Sequence, residues 1–228
     1  MRTVAFCEID PYCRAVLGKH WPDVPCYGDI RELSADRLAA DGIGVDVICG
    51  GFPCQDISIA GKGAGLAGER SGLWTEFARL IGEIRPSYAF MENVSALLSR
   101  GLGDVLGDLA EIGYDAEWHC IPASHVGAPH RRDRIWIVAH ANSSGTLVQG
   151  RHGDRYHEER HPAAQIQKWQ NLKFGTGGSG WWTVEPRLGR MAHGVPNRAH
   201  RLRVLGNAVV PQIPEIIGRA IMLAQRIK

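Results

Sequence analysis

The sequence contains no CxxC pair, no dense cysteine framework, and no apolar run approaching the roughly 18 residues a membrane span needs. Its six cysteines, Cys7, Cys13, Cys26, Cys49, Cys54 and Cys120, are scattered, so disulfide scaffolds and structural zinc sites are both poorly supported. The opening MRTVAFCEID lacks the apolar core of a secretory signal. No internal repeat or low-complexity tract is present. These absences predict a cytoplasmic protein with reduced thiols, no bound metal and no membrane contact. Charge of one sign is also scarce overall, with a formal net of +2. The stretch from 186 to 203 is the exception, holding five arginines and no acid, which suits either a solvated loop or a phosphate-facing surface.

What is present is an ordinary globular composition, 44% hydrophobic and 22% charged over 228 residues, enough for one substantial domain. The first 140 residues alternate strand and helix patterns. TVAFCEI, a segment near VPCYGDI, VDVICG, YAFMENV, YDAEWHCI and RIWIVAHA read as strands. PYCRAVLGKHW opens on a proline and spaces Ala15, Val16 and His20 as a helix does, and SADRLAADG is a weaker helix. LWTEFARLIGEIR places Leu73, Phe77, Leu80, Ile81 and Ile84 on one face before Pro86 stops it, and LGDVLGDLAEIG ends on glycine. This alternation predicts an α/β sheet covered by helices, with ligands beyond the carboxyl ends of its strands. From Ala141 to Trp182 no period survives, as in a long surface insertion. An apolar pattern returns in the terminal helix, with Ile216, Ile217, Ala220, Ile221 and Leu223.

Three short stretches carry chemistry. In GGFPCQDIS, Cys54 follows the VDVIC run, Pro53 fixes the backbone, and Gly50 and Gly51 permit unusual dihedrals. A cysteine so placed reads as a nucleophile, whereas Cys49 inside the apolar run reads as core. In FMENV, Glu92 ends another strand, so its carboxyl emerges at the same sheet edge, where partial burial would favour its acid form. In PHRRDRIWIVA, alternation sets Arg132 and Arg134 on one side of a chain entering a strand, two cations aimed at a phosphate, a base carbonyl or developing charge. The literal GxGxxG at Gly63, Gly65 and Gly68 follows no strand directly and does not meet the context of a dinucleotide loop.

Taken in order, PCQD, ENV, RRDR before an apolar strand, and LGNAVVP near the end resemble the motifs of the cytosine-5 DNA methyltransferase family, over residues 4 to 140 and 183 to 225. That resemblance implies a mostly parallel, Rossmann-like sheet of the S-adenosylmethionine-dependent methyltransferase type with a short DNA-recognition insert. It implies a catalytic domain over 1–140, a target-recognition region over 141–182, and an arginine-rich segment with the terminal helix over 183–228. Cys54 would attack carbon 6 of a cytosine flipped out of double-stranded DNA, and Glu92 would hold and protonate ring nitrogen 3. Arg134 would lie near the cytosine carbonyl, and Arg132 would support a loop or phosphate. His130 stands where the family's arginine motif has glutamine. For S-adenosylmethionine, the resemblance implies Glu8 on the ribose, Ile9, Asp29 and Ile30 near the adenine, and a lining completed by Pro53, Leu73, Asn207, Ala208 and Val209. For DNA it implies Gln55, Ser58, Lys62, Arg70, Arg198, Arg201 and Arg203.

The likeness starts at the family's second motif. The opening strand and glycine-rich turn, Phe-x-Gly-x-Gly, have no counterpart in the sequence, which leads to the expectation of a fragment, a late-start gene model, a degenerate copy or one half of a complementing pair whose other chain supplies them, and otherwise of a monomer. The alternative to an active methyltransferase is an impaired fragment or remnant that binds DNA without methylating it.

Overall fold

The computed structural model describes residues 1–53, 72–142 and 206–226. Short, capped segments build it. β1 is Phe6–Cys7 and α1 is Pro11–His20, whose N-cap Asp10 accepts hydrogen bonds from the Tyr12 and Cys13 N–H groups (2.8 and 3.4 Å) while Pro11 supplies a preset φ. β2 is Cys26–Tyr27, and α2, Ala35–Ala40, is capped by Ser34 accepting from Arg37 N–H at 3.2 Å. β3 is Val47–Gly51, α3 is Gly72–Ile84, and β4 is Tyr88–Val94. One-turn α4, Leu97–Arg100, leads into α5, Leu102–Glu111; then come β5, Tyr114–Pro122, a 3-10 turn at Ala123–Val126, and β6, Asp133–Ala141. The last helix, α6, is Gln212–Arg226.

The chain divides into two compact units, Met1–Cys120 with Asp133–His157, and Ile121–Arg132 with Glu158–Lys228. In the first, β1 and β2 form a parallel pair, and a four-stranded sheet runs β3-β4-β6-β5. β3 and β4 are parallel, Gly51 standing opposite Glu92, whereas β4 and β6 are antiparallel with Glu92 opposite Trp136 and Val94 opposite Arg134. The architecture is the expected α/β one, with an antiparallel member at β6 that a strand-helix alternation cannot foretell, because β5 and β6 follow each other without a helical crossover.

The core lies on this sheet. Met91 and Ala89 of β4, Ile135, Ile137 and Ala139 of β6, Phe77 and Ile81 of α3, and Val105 and Leu109 of α5 are buried together. Each fully buried large aliphatic contributes about 1.5–3 kcal/mol of transfer free energy. Alternation along β4 buries Ala89, Met91 and Asn93 and leaves Phe90, Glu92 and Val94 half-buried. Trp74 joins α3 to α5, its Nε1 donating to Asp108 Oδ2 at 2.6 Å.

Three sequence expectations need correction. The TVAFCEI strand shrinks to two residues. Helix α1 forms, but none of its residues is buried, so its spacing marks no core face. In α3 the buried face is Trp74, Phe77, Ala78, Leu80 and Ile81, while Leu73 and Ile84 are half-buried. In the second unit, Ile213, Ile217, Ala220 and Ile221 are buried along one side of α6. Among the described residues, no helix is long and apolar enough to cross a membrane.

Candidate active site

The carboxyl ends of β3 and β4 bring the first group together. Glu92 projects from the half-buried face of β4, and Arg134, second residue of the antiparallel neighbour β6, donates from Nε to Glu92 Oε1 at 2.8 Å, with both side chains largely shielded from solvent. Arg134 also donates from a terminal nitrogen to the Asp133 carbonyl at 2.9 Å, which fixes the fork. The Glu92 carboxylate thus sits beside a cation and against Gly51. A β-carbon on Gly51 would stand 3.3 Å from the Glu92 carbonyl oxygen and 3.5 Å from Oε2.

That contact revises the reading of the glycines. Neither Gly50 nor Gly51 has a positive φ. Gly51 is needed for the close approach of Glu92, and a β-carbon on Gly50 would meet the Phe77 ring at 3.4 Å.

Asn93, inside ENV, carries no signal of its role in the sequence pattern. It is buried, its Nδ2 donates to the Phe52 carbonyl at 2.9 Å, and its Oδ1 accepts from Val94 N–H at 2.8 Å. Phe52 is itself buried, with its ring centroid 4.9 Å from that of Trp74. The backbone is therefore pinned one residue before Pro53, by a buried amide that cannot be lost without leaving a carbonyl unsatisfied. Cys54, Gln55, Ser58, Lys62 and Arg70 lie outside the described residues, as do Arg198, Arg201 and Arg203.

The second group is a cavity of about 800 Å³ in the first unit. Six residues expected to hold a cofactor, Glu8, Ile9, Asp29, Ile30, Pro53 and Leu73, all line it. Glu8 Oε1 accepts the Asp10 N–H at 2.8 Å, which sets the carboxylate at the end of β1. Asp29 is gripped by Arg31, with 2.7 Å between Nη2 and Oδ2, and these hydrogen bonds hold its carboxyl below the usual carboxylate range. Desolvation, and then the negative charge of Asp29 and the neighbouring Cys26 and Glu8, push the Cys7 thiol up to about 11.

The wall carrying Asp29 and Ile30 is anchored by a residue the sequence did not flag. Arg79 on α3 donates from Nη2 to the carbonyls of Ile30 (3.0 Å) and Leu33 (2.9 Å), while Glu76 and Glu83 hold its other nitrogens at 2.6 and 2.7 Å. Only an i, i+3 and i, i+4 pattern of opposite charges on α3 signals it, and such patterns usually mark solvated faces.

The third group belongs to the second unit. Arg132 Nη2 donates to the carbonyls of Gly206 (2.6 Å) and Ala208 (2.7 Å), bracketing Asn207. Its φ of 39° lies in the left-handed region that non-glycine residues rarely adopt. The expected alternation of Arg132 with Arg134 therefore does not hold: Arg132 precedes β6 and its backbone breaks the pleat. Asn207, Ala208 and Val209 are not among the residues lining the cavity of the first unit.

The family model described as C-5 cytosine-specific DNA methylase matches residues 1–176. The type II methyltransferase M2.BsuMI of Bacillus subtilis is 36% identical over 145 residues, covering 60% of this chain and 36% of that protein. The type II methyltransferase M.AquIA of a Picosynechococcus species is 28% identical over 219 residues, covering 89% of this chain and 85% of that protein. Among solved structures, DNMT2 of Spodoptera frugiperda superposes with a TM-score of 0.51 at 20% identity, covering 66% of this chain and 46% of that one, which speaks to the fold alone. The chain spans little more than a third of the length of the first curated relatives it matches.

Proposed function

Because this chain belongs to the C-5 cytosine-specific DNA methylase family, we propose that it methylates carbon 5 of a cytosine flipped out of double-stranded DNA, through a transient bond to Cys54. The observation that carries the reading is the Glu92–Arg134 pair at the end of β4, set directly across from Gly51. Three residues of chain span at most about 10 Å, a distance that permits a thiol at position 54 to serve a ring bound at Glu92. Asn93 and the buried Phe52 ring fix where that step starts.

In this reading Cys54 acts as the nucleophile. A free thiol is only a few per cent ionised at neutral pH, so attack is coupled to making the ring electron-poor. Glu92, oriented by Arg134, delivers a proton to ring nitrogen 3 as the sulfur bonds to carbon 6, which leaves carbon 5 nucleophilic. S-adenosylmethionine, when bound, supplies the methyl group. A water molecule then takes the carbon 5 proton, the electron pair of that bond forms the 5,6 double bond and expels the Cys54 thiolate, and nitrogen 3 returns its proton to Glu92.

The residues of the cavity fit the adenosyl group. Its volume falls in the range of ligand sites of roughly 300–1,000 Å³. Glu8 keeps Oε2 available beyond its bond to Asp10, as a ribose diol requires, and Ile9, Ile30 and Leu73 give apolar walls to an adenine. Asn207 lies in a turn of the second unit that Arg132 holds through the Gly206 and Ala208 carbonyls. Gln55, Ser58, Lys62, Arg70, Arg198, Arg201 and Arg203 contact DNA, residues 141–182 choose the target, and phosphate contacts offset the few kcal/mol that flipping costs.

The test is covalent trapping on DNA containing 5-fluorocytosine in the presence of S-adenosylmethionine. The expected result is an adduct lost in Cys54→Ser and reduced by orders of magnitude in Glu92→Gln. Salt-sensitive DNA retention with no adduct and no uptake of S-adenosylmethionine would instead establish the DNA-binding remnant.

A further inference from the structure

We propose that Asp108 on α5, which no motif of the sequence singles out, is a positioning residue that acts through Trp74 on both chain segments flanking residues 54–71. The proposal deepens the methylation reading and rests on it for its consequence in the reaction.

Asp108 stands where a carboxylate is least expected. Val105, Leu109 and Ile112 form the inward stripe of α5 and its cap, and position 108 falls on that stripe at i+3 from Val105. A break in an apolar pattern is tolerated where it serves a contact. Here Trp74 Nε1–H donates to Asp108 Oδ2 at 2.6 Å, and Trp74 is only 3% exposed, so its N–H must find its acceptor inside the fold.

That bond selects an orientation. The χ2 torsion of an indole has two broad wells, and the bond to Asp108 is met in one of them. In it the Trp74 ring centroid lies 4.9 Å from that of Phe52 and 6.3 Å, edge-on, from that of Phe77. The Phe52 carbonyl is the one held by Asn93 at 2.9 Å, and the Phe77 ring is what a β-carbon on Gly50 would meet at 3.4 Å. The three rings thus support the chain from Gly50 to Phe52, and Asp108 fixes the central ring.

The same ring serves both segments. Pro53 follows Phe52, Leu73 precedes Trp74, and both line the cavity of the first unit. Cys54 comes two residues after Phe52 in the chain. A turned indole would displace the chain at Phe52 while Glu92 and Arg134, paired across β4 and β6, stay where they are. Reacting groups set apart by about 1 Å more than their productive distance lose about a hundredfold in rate.

Three variants separate positioning from mere support. Asp108→Leu leaves the buried indole N–H without an acceptor, and Asp108→Asn keeps an acceptor oxygen. Asp108→Leu combined with Trp74→Phe removes both polar partners, so the double variant should regain most of the thermal stability that Asp108→Leu loses. Its adduct formation on 5-fluorocytosine DNA should nonetheless stay at least about tenfold slow, because no hydrogen bond holds the remaining ring against Phe52. Asp108→Asn, with a neutral bond in place of a charged one, should stay within about threefold of the unmodified chain. A second measurement does not depend on methylation. Hydrogen exchange of the Asn93 side-chain amide reports on the Phe52 carbonyl, and it should quicken by about tenfold or more in Asp108→Leu and in the double variant, with the Met91 amide unchanged. Adduct rate or Asn93 protection returning together with stability in the double variant would overturn the proposal, as would an Asp108→Asn variant as impaired as Asp108→Leu. If the unmodified chain forms no adduct, the methylation reading fails, and Asn93 exchange decides the positioning alone.

Discussion

At Gly51 one hydrogen atom separates the Glu92 carboxylate as it stands from a displaced one. A β-carbon 3.3 Å from the Glu92 carbonyl oxygen is tighter than backbone tolerates without a shift, and the Glu92–Arg134 bond lies directly beyond it. Gly51→Ala is therefore expected to cut the rate of adduct formation on 5-fluorocytosine DNA by about tenfold or more, a misplacement effect, with little loss of thermal stability. Arg132 makes the converse case, because its side chain stabilises what its backbone strains. Arg132→Ala removes the bonds to Gly206 and Ala208 and keeps the strain, whereas Arg132→Gly removes both. The alanine variant should unfold at lower temperature than the glycine variant, by an amount equivalent to about 1 kcal/mol. Asp29 gives a pH dependence. Its carboxyl is lowered in the folded state by Arg31, so its contribution to stability is complete above the ordinary carboxylate value and fades as pH falls through the lowered one. Carboxyl NMR should place its midpoint below that of a free aspartate, and Arg31→Gln should move it back up.

Element by element, the sequence pattern was a good guide where an element carries its own period and a poor one where pairing or burial decides. β4 and β6 are legible as strands because their neighbours bury them, and α3 because a wide apolar stripe faces the sheet. TVAFCEI looks equally β-rich yet keeps two strand residues, since only one edge of it is paired. α4 and the 3-10 turn at Ala123–Val126 are too short to hold a period at all. The site followed the same rule: Glu92, with its carboxyl at the strand end, could be read from FMENV, but Asn93, Gly51 and Arg79 act through contacts with residues distant in sequence. Arg79 is the clearest test on an element. It ties α3 to the segment carrying Asp29 and Ile30, so Arg79→Met should weaken S-adenosylmethionine binding several-fold by calorimetry while the helix itself persists by circular dichroism. Each carbonyl it releases loses a charge-assisted bond of about 1.5–3 kcal/mol, and partial solvation of that face brings the net effect below that figure.

On the scale of the first unit, stability is distributed unevenly, and the distribution has a direction. All the buried residues of this unit lie from Leu33 onward; β4 and β6 share seven registered pairs, whereas β1 and β2 share two and contribute no buried residue. Local opening free energies track buried apolar contacts, so residues 1–27 should open without the rest. In the chain alone, native-state hydrogen exchange should show amides of 1–27 exchanging at least about a hundredfold faster than those of Met91 and Ile137, with denaturant sensitivity near zero, the mark of local opening. A large cavity replacement such as Ile137→Ala, costing about 2–5 kcal/mol, should accelerate Met91 and leave 1–27 almost unchanged. If instead both sets accelerate together, the unit opens as one cooperative body and β1-α1-β2 is held by more than its two registered pairs. The division bears on the proposed function, because Glu8 and Ile9 belong to the weakly held part and Glu92 and Arg134 to the strongly held one. In the chain alone the carboxyl side of the site is expected to be preformed, and the cofactor side to pay an ordering cost at each binding event, so S-adenosylmethionine affinity should rise as residues 1–27 become protected.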